Sequence, residues 1–281
     1  MHPILLSFGP IHIFSFSLFL ILAWLSFSWV FWKVLRRNGI EEERIFDLSF
    51  YGTLASVLGS RIGFVLTHWD LFQDTALKIF ALWLQPGLTL YGGWIAGILT
   101  LIYLARRYKV RLGLVLDALA SALPVSLALG LLGSLLDGTT VGKMAALPWA
   151  IHYVGQIGTR HPIQLYELIV AVILIAAGLS WTRRSVQQKW PYGLVGILFF
   201  LGLSLTMFLL EFFKDSGVYW GILSANQWVL VLIFGEALGA FYVRGGGREK
   251  LLPLTGRLNS RLVKLKGEIY AKFSRRRTQS N

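Results

Sequence analysis

Seven long apolar runs, separated by short polar breaks, make up most of this 281-residue chain. The runs are continuous rather than alternating, and each is about 18 residues or longer, so they favour membrane-spanning helices over the strands of a membrane barrel. The predicted spans lie near residues 11–35, 45–67, 88–105, 112–136, 164–181, 193–213 and 222–243. The pattern therefore predicts an all-α polytopic membrane protein with about seven transmembrane helices.

Composition supports this class. Hydrophobic residues make up 55% of the chain, charged residues only 15%, and the mean hydropathy is +0.62. These values exclude an ordinary soluble domain. The first run is too long and too aromatic for a cleaved signal peptide, so we expect it to be retained. After the second run, residues 76–84 predict a short helix at the membrane interface, where tryptophan and phenylalanine are favoured.

The net charge of +13 is unevenly distributed. Of the 27 lysines and arginines, 22 fall in alternate breaks and in the C-terminal segment, which is the positive-inside pattern. It predicts an N-terminus outside and a C-terminus in the cytoplasm. The same distribution indicates membrane lipids, and not nucleic acid, as the partners of the basic residues.

Two domains are predicted, a membrane domain over residues 1–243 and a basic tail over residues 244–281. Leucines in the tail recur at helical spacing between basic residues, which indicates an amphipathic helix on the anionic inner leaflet. A disordered charged tail is the alternative. Neither interpretation gives the tail a part in catalysis.

The chain has no cysteine, which excludes disulfides, thiolate metal sites and a cysteine nucleophile. It also has no clustered histidine and carboxylate signature, so we expect no metal and no cofactor. Any thiol chemistry must therefore use a thiol that the substrate brings.

Arg61 lies inside the second run, between Gly59 and Gly63. An arginine in a span is costly and normally faces a partner or a water-filled cavity, so it either reaches the outer headgroups or binds an anion. Gly92 and Gly93 open the third run, where exposed backbone N–H groups form an anion cradle. Close helix packing explains the glycines equally well.

The densest polar segment runs from Arg160 to Glu167 and precedes the fifth span. Pro162 suits the first turn of a helix, and the N–H groups beside Arg160 and His161 favour an anion. The alternatives without a ligand are a solvated histidine and a Glu167 carboxylate that neutralises Arg160.

Two further carboxylates need partners. Asp137 is predicted to cap its helix or pair with Lys143 or Arg160, and Glu211 is predicted to pair with Arg61.

In their order, these segments resemble the prolipoprotein diacylglyceryl transferase family, over residues 9 to about 243. The matching segments are Gly59–Phe64, Asp117, Pro124, Pro148–Trp149, Arg160–Glu167, Glu211–Phe213 and Gln227. The Arg-His-Pro-x-Gln-Leu-Tyr-Glu segment at 160–167 is the most specific of them. The chain departs from the family pattern at Phe16, Tyr91, Leu131, Ser134, Asp137, Thr139, Lys143 and Met207.

The resemblance implies a bacterial inner-membrane enzyme that moves the diacylglyceryl group of phosphatidylglycerol to the lipobox cysteine of a preprotein. In that interpretation Arg61 and Arg160 hold the phosphate, Tyr91 or His161 handles the thiol proton, and Gly92 and Gly93 let the lipid approach. The other substrate-binding candidates are Asp137, Lys143, Gln164, Tyr166, Glu167, Glu211 and Gln227. The alternative is a non-catalytic relative that binds phospholipid or lipoprotein precursor. A transporter is disfavoured because the halves lack paired broken helices.

Overall fold

The computed structural model of this protein describes residues 4–8, 11–138, 140–153, 155–215 and 218–245. Seven long helices lie within these ranges. They are α1 (Ser15–Arg37), α2 (Glu42–Thr67), α3 (Leu90–Arg107), α4 (Leu112–Asp137), α5 (Ile163–Gln187), α6 (Leu194–Glu211) and α7 (Ala225–Arg244). The predicted tail helix lies outside the described residues.

Six of the long helices are long and apolar enough to span a membrane. The exception is α3, whose final turn carries Arg106 and Arg107 and so lowers the mean hydropathy of a helix of only 18 residues. Most large apolar side chains on the helices are exposed, as lipid-facing side chains must be. The protein is therefore a multi-pass, mainly helical membrane protein, as the sequence predicted.

Short strands appear where the sequence predicted helix or loop. Strand β1 (Ile4–Phe8) pairs with β2 (Ile11–Phe14), so the first helix begins at Ser15 and the predicted start at residue 11 was wrong. β-branched isoleucine at positions 11 and 13 favours the extended conformation there. The loops hold two smaller hairpins, namely β3 (Ile151–His152) with β4 (Thr159–Arg160), and β5 (Tyr219–Trp220) with β6 (Leu223–Ser224).

The predicted interfacial helix at 76–84 is only partly formed. A 3₁₀ helix covers Ala76–Ile79, and turns continue from it as far as Gln85. The side chains of Phe80 and Trp83 are almost fully exposed, at 79% and 81%. The segment thus exposes its aromatic rings, as side chains at a membrane interface do, without forming a long helix.

Helix α4 forms the centre of the bundle and packs against α1, α5 and α6. Its buried positions are dominated by small residues, which allow three neighbours to approach on different sides. Near its start the Asp117 carboxylate accepts hydrogen bonds from the backbone N–H groups of Gly193 (2.7 Å) and Gly196 (2.8 Å). A side chain of α4 therefore caps the N-terminus of α6, where negative charge is favourable.

Glycines hold α2 and α3 together. A Cβ atom added to Gly59 would collide with the backbone of Gly92 and with Ala96, and one added to Gly93 would collide with Ser60. Gly92 and Gly93 thus face α2 rather than an open space for a lipid. The packing alternative accounts for these glycines, and an anion cradle formed by their backbone N–H groups stays a prediction.

Helices α2, α4 and α6 end, and α3, α5 and α7 begin, at one end of the bundle, here called the polar end. The loops there are joined by backbone hydrogen bonds from Lys143 N to Phe213 O (2.8 Å) and from Asp215 N to Val141 O (3.2 Å). Isolated antiparallel β-bridges also pair the backbone of Gly142 with that of Lys214, and the backbone of Met144 with that of Arg160. These bonds bring the 140s, the 160s turn and the end of α6 into one cluster.

Candidate active site

Lys214, three residues after the end of α6, lies between two buried carboxylates. Its Nζ atom is 2.6 Å from Glu167 and 3.3 Å from Glu211, whose side chains are 9% and 2% exposed. Burial alone lowers the pKa of Lys214, but the two carboxylates offset this and the net effect raises the pKa above its ordinary value. Lys214 is therefore a fixed cation that joins α5 to α6.

The network continues from Glu211 to two other helices. The Glu211 carboxylate accepts hydrogen bonds from Asn226 Nδ2 (2.8 Å) and Ser224 Oγ (3.3 Å) at the start of α7. Asn226 in turn accepts a hydrogen bond from the phenol of Tyr91, in the first turn of α3. A continuous chain of polar contacts, Tyr91–Asn226–Glu211–Lys214–Glu167, thus links α3, α7, α6 and α5.

Gln227 supports the start of α7. Its backbone N–H donates to Ser224 Oγ and its side-chain oxygen accepts from Ser224 N, which together form a capping box. The Nε2 atom of Gln227 is buried and has no hydrogen-bond partner within the described residues. An unsatisfied buried donor is costly, so it marks a point where an acceptor is missing.

Arg160 is also buried and only partly satisfied. Its Nη1 atom donates to Asp215 Oδ2 (2.9 Å) and to Gly142 O (3.2 Å). Its Nε atom is buried and finds no acceptor within the described part of the chain. The ion pair is with Asp215 rather than with Glu167, which the sequence had offered as the neutralising group, or with Asp137.

His161 lies in an aromatic setting. Its Nδ1 atom is 3.3 Å from the Tyr166 hydroxyl, which also accepts a hydrogen bond from Trp149 Nε1 (2.8 Å). The imidazole meets the Tyr166 and Phe213 rings edge to face. The ring is half-buried and its orientation is fixed, so its Nε2 atom is the nitrogen left for a ligand.

Gln164 is buried behind the 160s turn and is hydrogen-bonded to the loop that precedes it. Its Oε1 atom accepts from the Tyr153 hydroxyl (2.8 Å) and its Nε2 atom donates to Thr140 O (2.5 Å). Burial raises the pKa of the Tyr153 phenol, which therefore stays neutral and remains a donor. Gln164 is fully buried and positions the loop instead of facing a ligand.

Lys143 differs from the other cations of the polar end. Its backbone is held by Phe213 O and by His161 N, but its side chain is exposed and makes no ion pair with another described residue. No hydrogen bond or ion pair joins it to Asp137, the partner that the sequence suggested. It is thus an available positive charge beside His161.

Arg61 serves a different purpose from the predicted one. Its guanidinium is buried and donates to the backbone carbonyls of Lys78, Ile79, Gln85 and Gly87 at 2.7–3.0 Å. These bonds use four of its five N–H groups. Arg61 therefore holds the 78–87 loop against α2. These bonds replace the predicted contact with a phosphate. The predicted pair with Glu211 is also wrong, because the cation bonded to Glu211 is Lys214.

Substitution of Arg61 by Gln is expected to loosen this loop without weakening lipid binding. Losing charged hydrogen bonds to buried carbonyls should cost about 2–4 kcal/mol of stability. Trypsin cleavage after Lys78 should become faster, and phosphatidylglycerol affinity should stay within about twofold. A selective loss of anionic-lipid affinity, with the cleavage rate unchanged, would restore the anion role.

The structure thus brings together most of the predicted site residues and sets others apart. Arg61 lies on α2 and is bonded to the 78–87 loop instead of to this cluster. The predicted site residues that lie at the polar end are Tyr91, Asp137, Lys143, Arg160, His161, Gln164, Tyr166, Glu167, Glu211 and Gln227. Asn226 and Asp215 were not chosen from sequence as site residues. The signal for both was a polar side chain directly beside an apolar run.

Comparison with known proteins gives the same assignment over nearly the whole chain. The sequence model of the family described as "Prolipoprotein diacylglyceryl transferase" matches residues 3–243. A phosphatidylglycerol–prolipoprotein diacylglyceryl transferase of Mannheimia succiniciproducens is 32% identical over 229 residues, covering 80% of this chain and 84% of its own. Enzymes of the same name from Vibrio vulnificus and Shewanella oneidensis are 31% and 29% identical, covering 89% and 83% of this chain and 94% and 92% of their own. This chain therefore belongs to the prolipoprotein diacylglyceryl transferase family.

Proposed function

We propose that this protein transfers the diacylglyceryl group of phosphatidylglycerol to the cysteine thiol of a lipobox-containing preprotein. The observation that carries the proposal is the family match over residues 3–243, together with the name shared by the relatives. The polar end faces the outside of the cytoplasmic membrane, in keeping with the basic loops at the opposite end.

The reaction is a substitution at carbon. The sulfur forms a bond to the terminal glyceryl carbon of the diacylglyceryl group, and the bond from that carbon to the phosphate oxygen breaks. The electron pair stays with the oxygen, so glycerol phosphate leaves and the thiol proton must be taken up. A thiol with a pKa of about 8.5 is already a few per cent ionised at neutral pH. Stabilising the departing phosphate is therefore the larger task.

Lys143 and Arg160 provide that stabilisation. Lys143 has an exposed ammonium without an ion pair among the described residues, and Arg160 has a buried Nε–H without an acceptor. A phosphate oxygen satisfies both kinds of donor. Arg160 is already neutralised by Asp215, so its contribution is a directed hydrogen bond, and Lys143 brings the uncompensated charge.

His161 is the proton acceptor of the proposed mechanism. When its Nδ1–H donates to the Tyr166 hydroxyl, Nε2 is left as an acceptor for the thiol proton. Trp149 and Phe213 hold this pair of rings in place. The substrate-binding candidates Asp137, Glu167, Glu211 and Gln227 complete the polar lining at the polar end.

The test uses purified protein, phosphatidylglycerol vesicles and a synthetic lipobox peptide. Mass spectrometry should detect a peptide carrying one diacylglyceryl thioether, and a matched peptide with Ser in place of Cys should stay unmodified. Absence of the thioether at high protein concentration would refute the proposal. If phosphatidylglycerol binding persisted in that case, the non-catalytic lipid-binding alternative would take its place.

A further inference from the structure

The hydrogen bonds around Asn226 have a direction that chemistry fixes. Glu211 is held beside the Lys214 ammonium, and an ionised carboxylate can only accept hydrogen bonds. The amide nitrogen of Asn226 must therefore face Glu211, which it does at 2.8 Å. This turns the amide oxygen of Asn226 toward Tyr91. Because an amide oxygen also only accepts, the Tyr91 hydroxyl must be the donor.

Tyr91 consequently presents an oxygen that accepts and does not donate. Its single proton is committed to Asn226, and its remaining lone pairs are free for a substrate donor. Tyr91 is half-buried and Asn226 is exposed, so this end of the polar chain is open, whereas Glu211 and Glu167 at the other end are closed. The charge of Glu211 polarises the chain and makes the phenol oxygen a better acceptor.

The direction of these hydrogen bonds determines which substrate group can contact the Tyr91 hydroxyl. The reactive form of the cysteine is a thiolate, which has no proton to offer and is disfavoured by an acceptor oxygen near a carboxylate. The phosphatidylglycerol headgroup has two hydroxyl groups, and each is a hydrogen-bond donor. Tyr91 therefore suits the headgroup and not the sulfur, and this differs from the proton-handling role that the sequence suggested for it.

We propose that Tyr91, oriented by Asn226, accepts a hydrogen bond from a headgroup hydroxyl and so selects hydroxyl-bearing phospholipids. The inference rests on the proposed function for the identity of the lipid. Tyr91 is then a specificity-determining residue, and Asn226 acts through it as a positioning residue. The leaving glycerol phosphate carries the recognised hydroxyl, so the contact also orients the leaving group.

The experiment compares phosphatidylglycerol with phosphatidylpropanol of the same acyl chains, which has no headgroup hydroxyl. The readout is the ratio of kcat/KM for the two lipids. The wild-type protein should favour phosphatidylglycerol by about 3–10-fold, the value of one neutral hydrogen bond. Tyr91→Phe and Asn226→Ala should each bring this ratio close to one, and the double variant should lose no more than either single variant.

Trp228→Phe is the matched control. It removes a hydrogen bond from Trp228 Nε1 to Trp220 O at the same end of α7, without touching Tyr91, and should keep the wild-type ratio. An unchanged ratio in Tyr91→Phe would overturn the inference, and an unchanged ratio in Asn226→Ala would overturn the part given to Asn226. An equal loss in Trp228→Phe would also overturn it, because it would trace the effect to a general disturbance of α7.

A binding measurement separates this inference from the proposed function. Native mass spectrometry of detergent-solubilised protein, titrated with an equimolar mixture of the two lipids, gives the same preference without turnover. A wild-type protein that binds selectively but forms no thioether refutes the transferase and supports the hydroxyl contact. A protein that forms the thioether from both lipids equally well supports the transferase and overturns the contact.

Discussion

Replacing Lys214 by methionine is expected to destabilise the protein by about 3–5 kcal/mol, the cost of removing one partner from a buried ion pair. Methionine fills a similar volume, but the carboxylates of Glu167 and Glu211 are then left buried without their shared cation. Because these carboxylates belong to α5 and α6, the loss weakens the contact between the two helices. The midpoint of thermal unfolding in detergent, measured at one scan rate, should fall clearly.

Neutralising the carboxylates in the same background is the matched control. Glu167→Gln with Glu211→Gln should restore much of the stability that Lys214→Met removes, because the buried charges are then gone. If the triple variant were no more stable than the single one, lost packing and not unpaired charge would be the cause.

The stabilisation by Lys214 depends on pH. The pKa of Lys214 is raised in the folded protein, so its full contribution to the free energy of unfolding is present below the ordinary pKa range of lysine. That contribution is lost as the pH rises through the raised pKa.

Replacing Lys143 by alanine should lower kcat by about 10²–10³-fold, the usual effect of removing a group that stabilises developing negative charge. The fold should be unaffected, since the side chain is exposed and makes no ion pair with the described residues. Lys143→Arg should keep most of the activity because it preserves the charge. The measurement is single-turnover formation of the thioether with saturating phosphatidylglycerol.

Lys78→Ala serves as the control for net charge. Lys78 lies in the loop between α2 and α3, and its Nζ atom is 3.7 Å from the exposed Asp74 carboxylate. The substitution keeps the backbone carbonyl of residue 78, which accepts a hydrogen bond from Arg61. Its kcat should stay within about twofold of wild type. A similar loss in both variants would assign the effect to the general field of the protein, and full activity in Lys143→Ala would remove this lysine from the mechanism.

The sequence predicted the helices well because lipid imposes a strong rule on composition. A continuous apolar run long enough to cross the bilayer leaves little choice but a helix, and seven such runs became seven helices. The rule says less about where a span meets water. The hairpin before Ser15 was missed for this reason, since isoleucine and phenylalanine suit a strand as well as the start of a span.

The partners of the polar residues were harder to predict. The sequence predicts that Arg61 reaches the outer headgroups or binds an anion, because an arginine in a span needs compensation. Backbone carbonyls 17 to 26 residues later in the chain provide that compensation. Tyr91 and Asn226 are separated by 135 positions. The sequence indicates that polar side chains next to apolar spans require hydrogen-bond partners. Which partners they have depends on how α3 packs near α7, and this cannot be read from the sequence.

The contact of α2 with α3 affects how genetic data on this protein should be interpreted. At Gly59 and Gly92 the two backbones leave no room for even a methyl group, so alanine there obstructs assembly. A library screen for loss of activity would rank these glycines beside the reacting residues. Their intolerance would report on insertion and steady-state abundance, so each hit needs its protein level measured before any role in turnover is assigned to it.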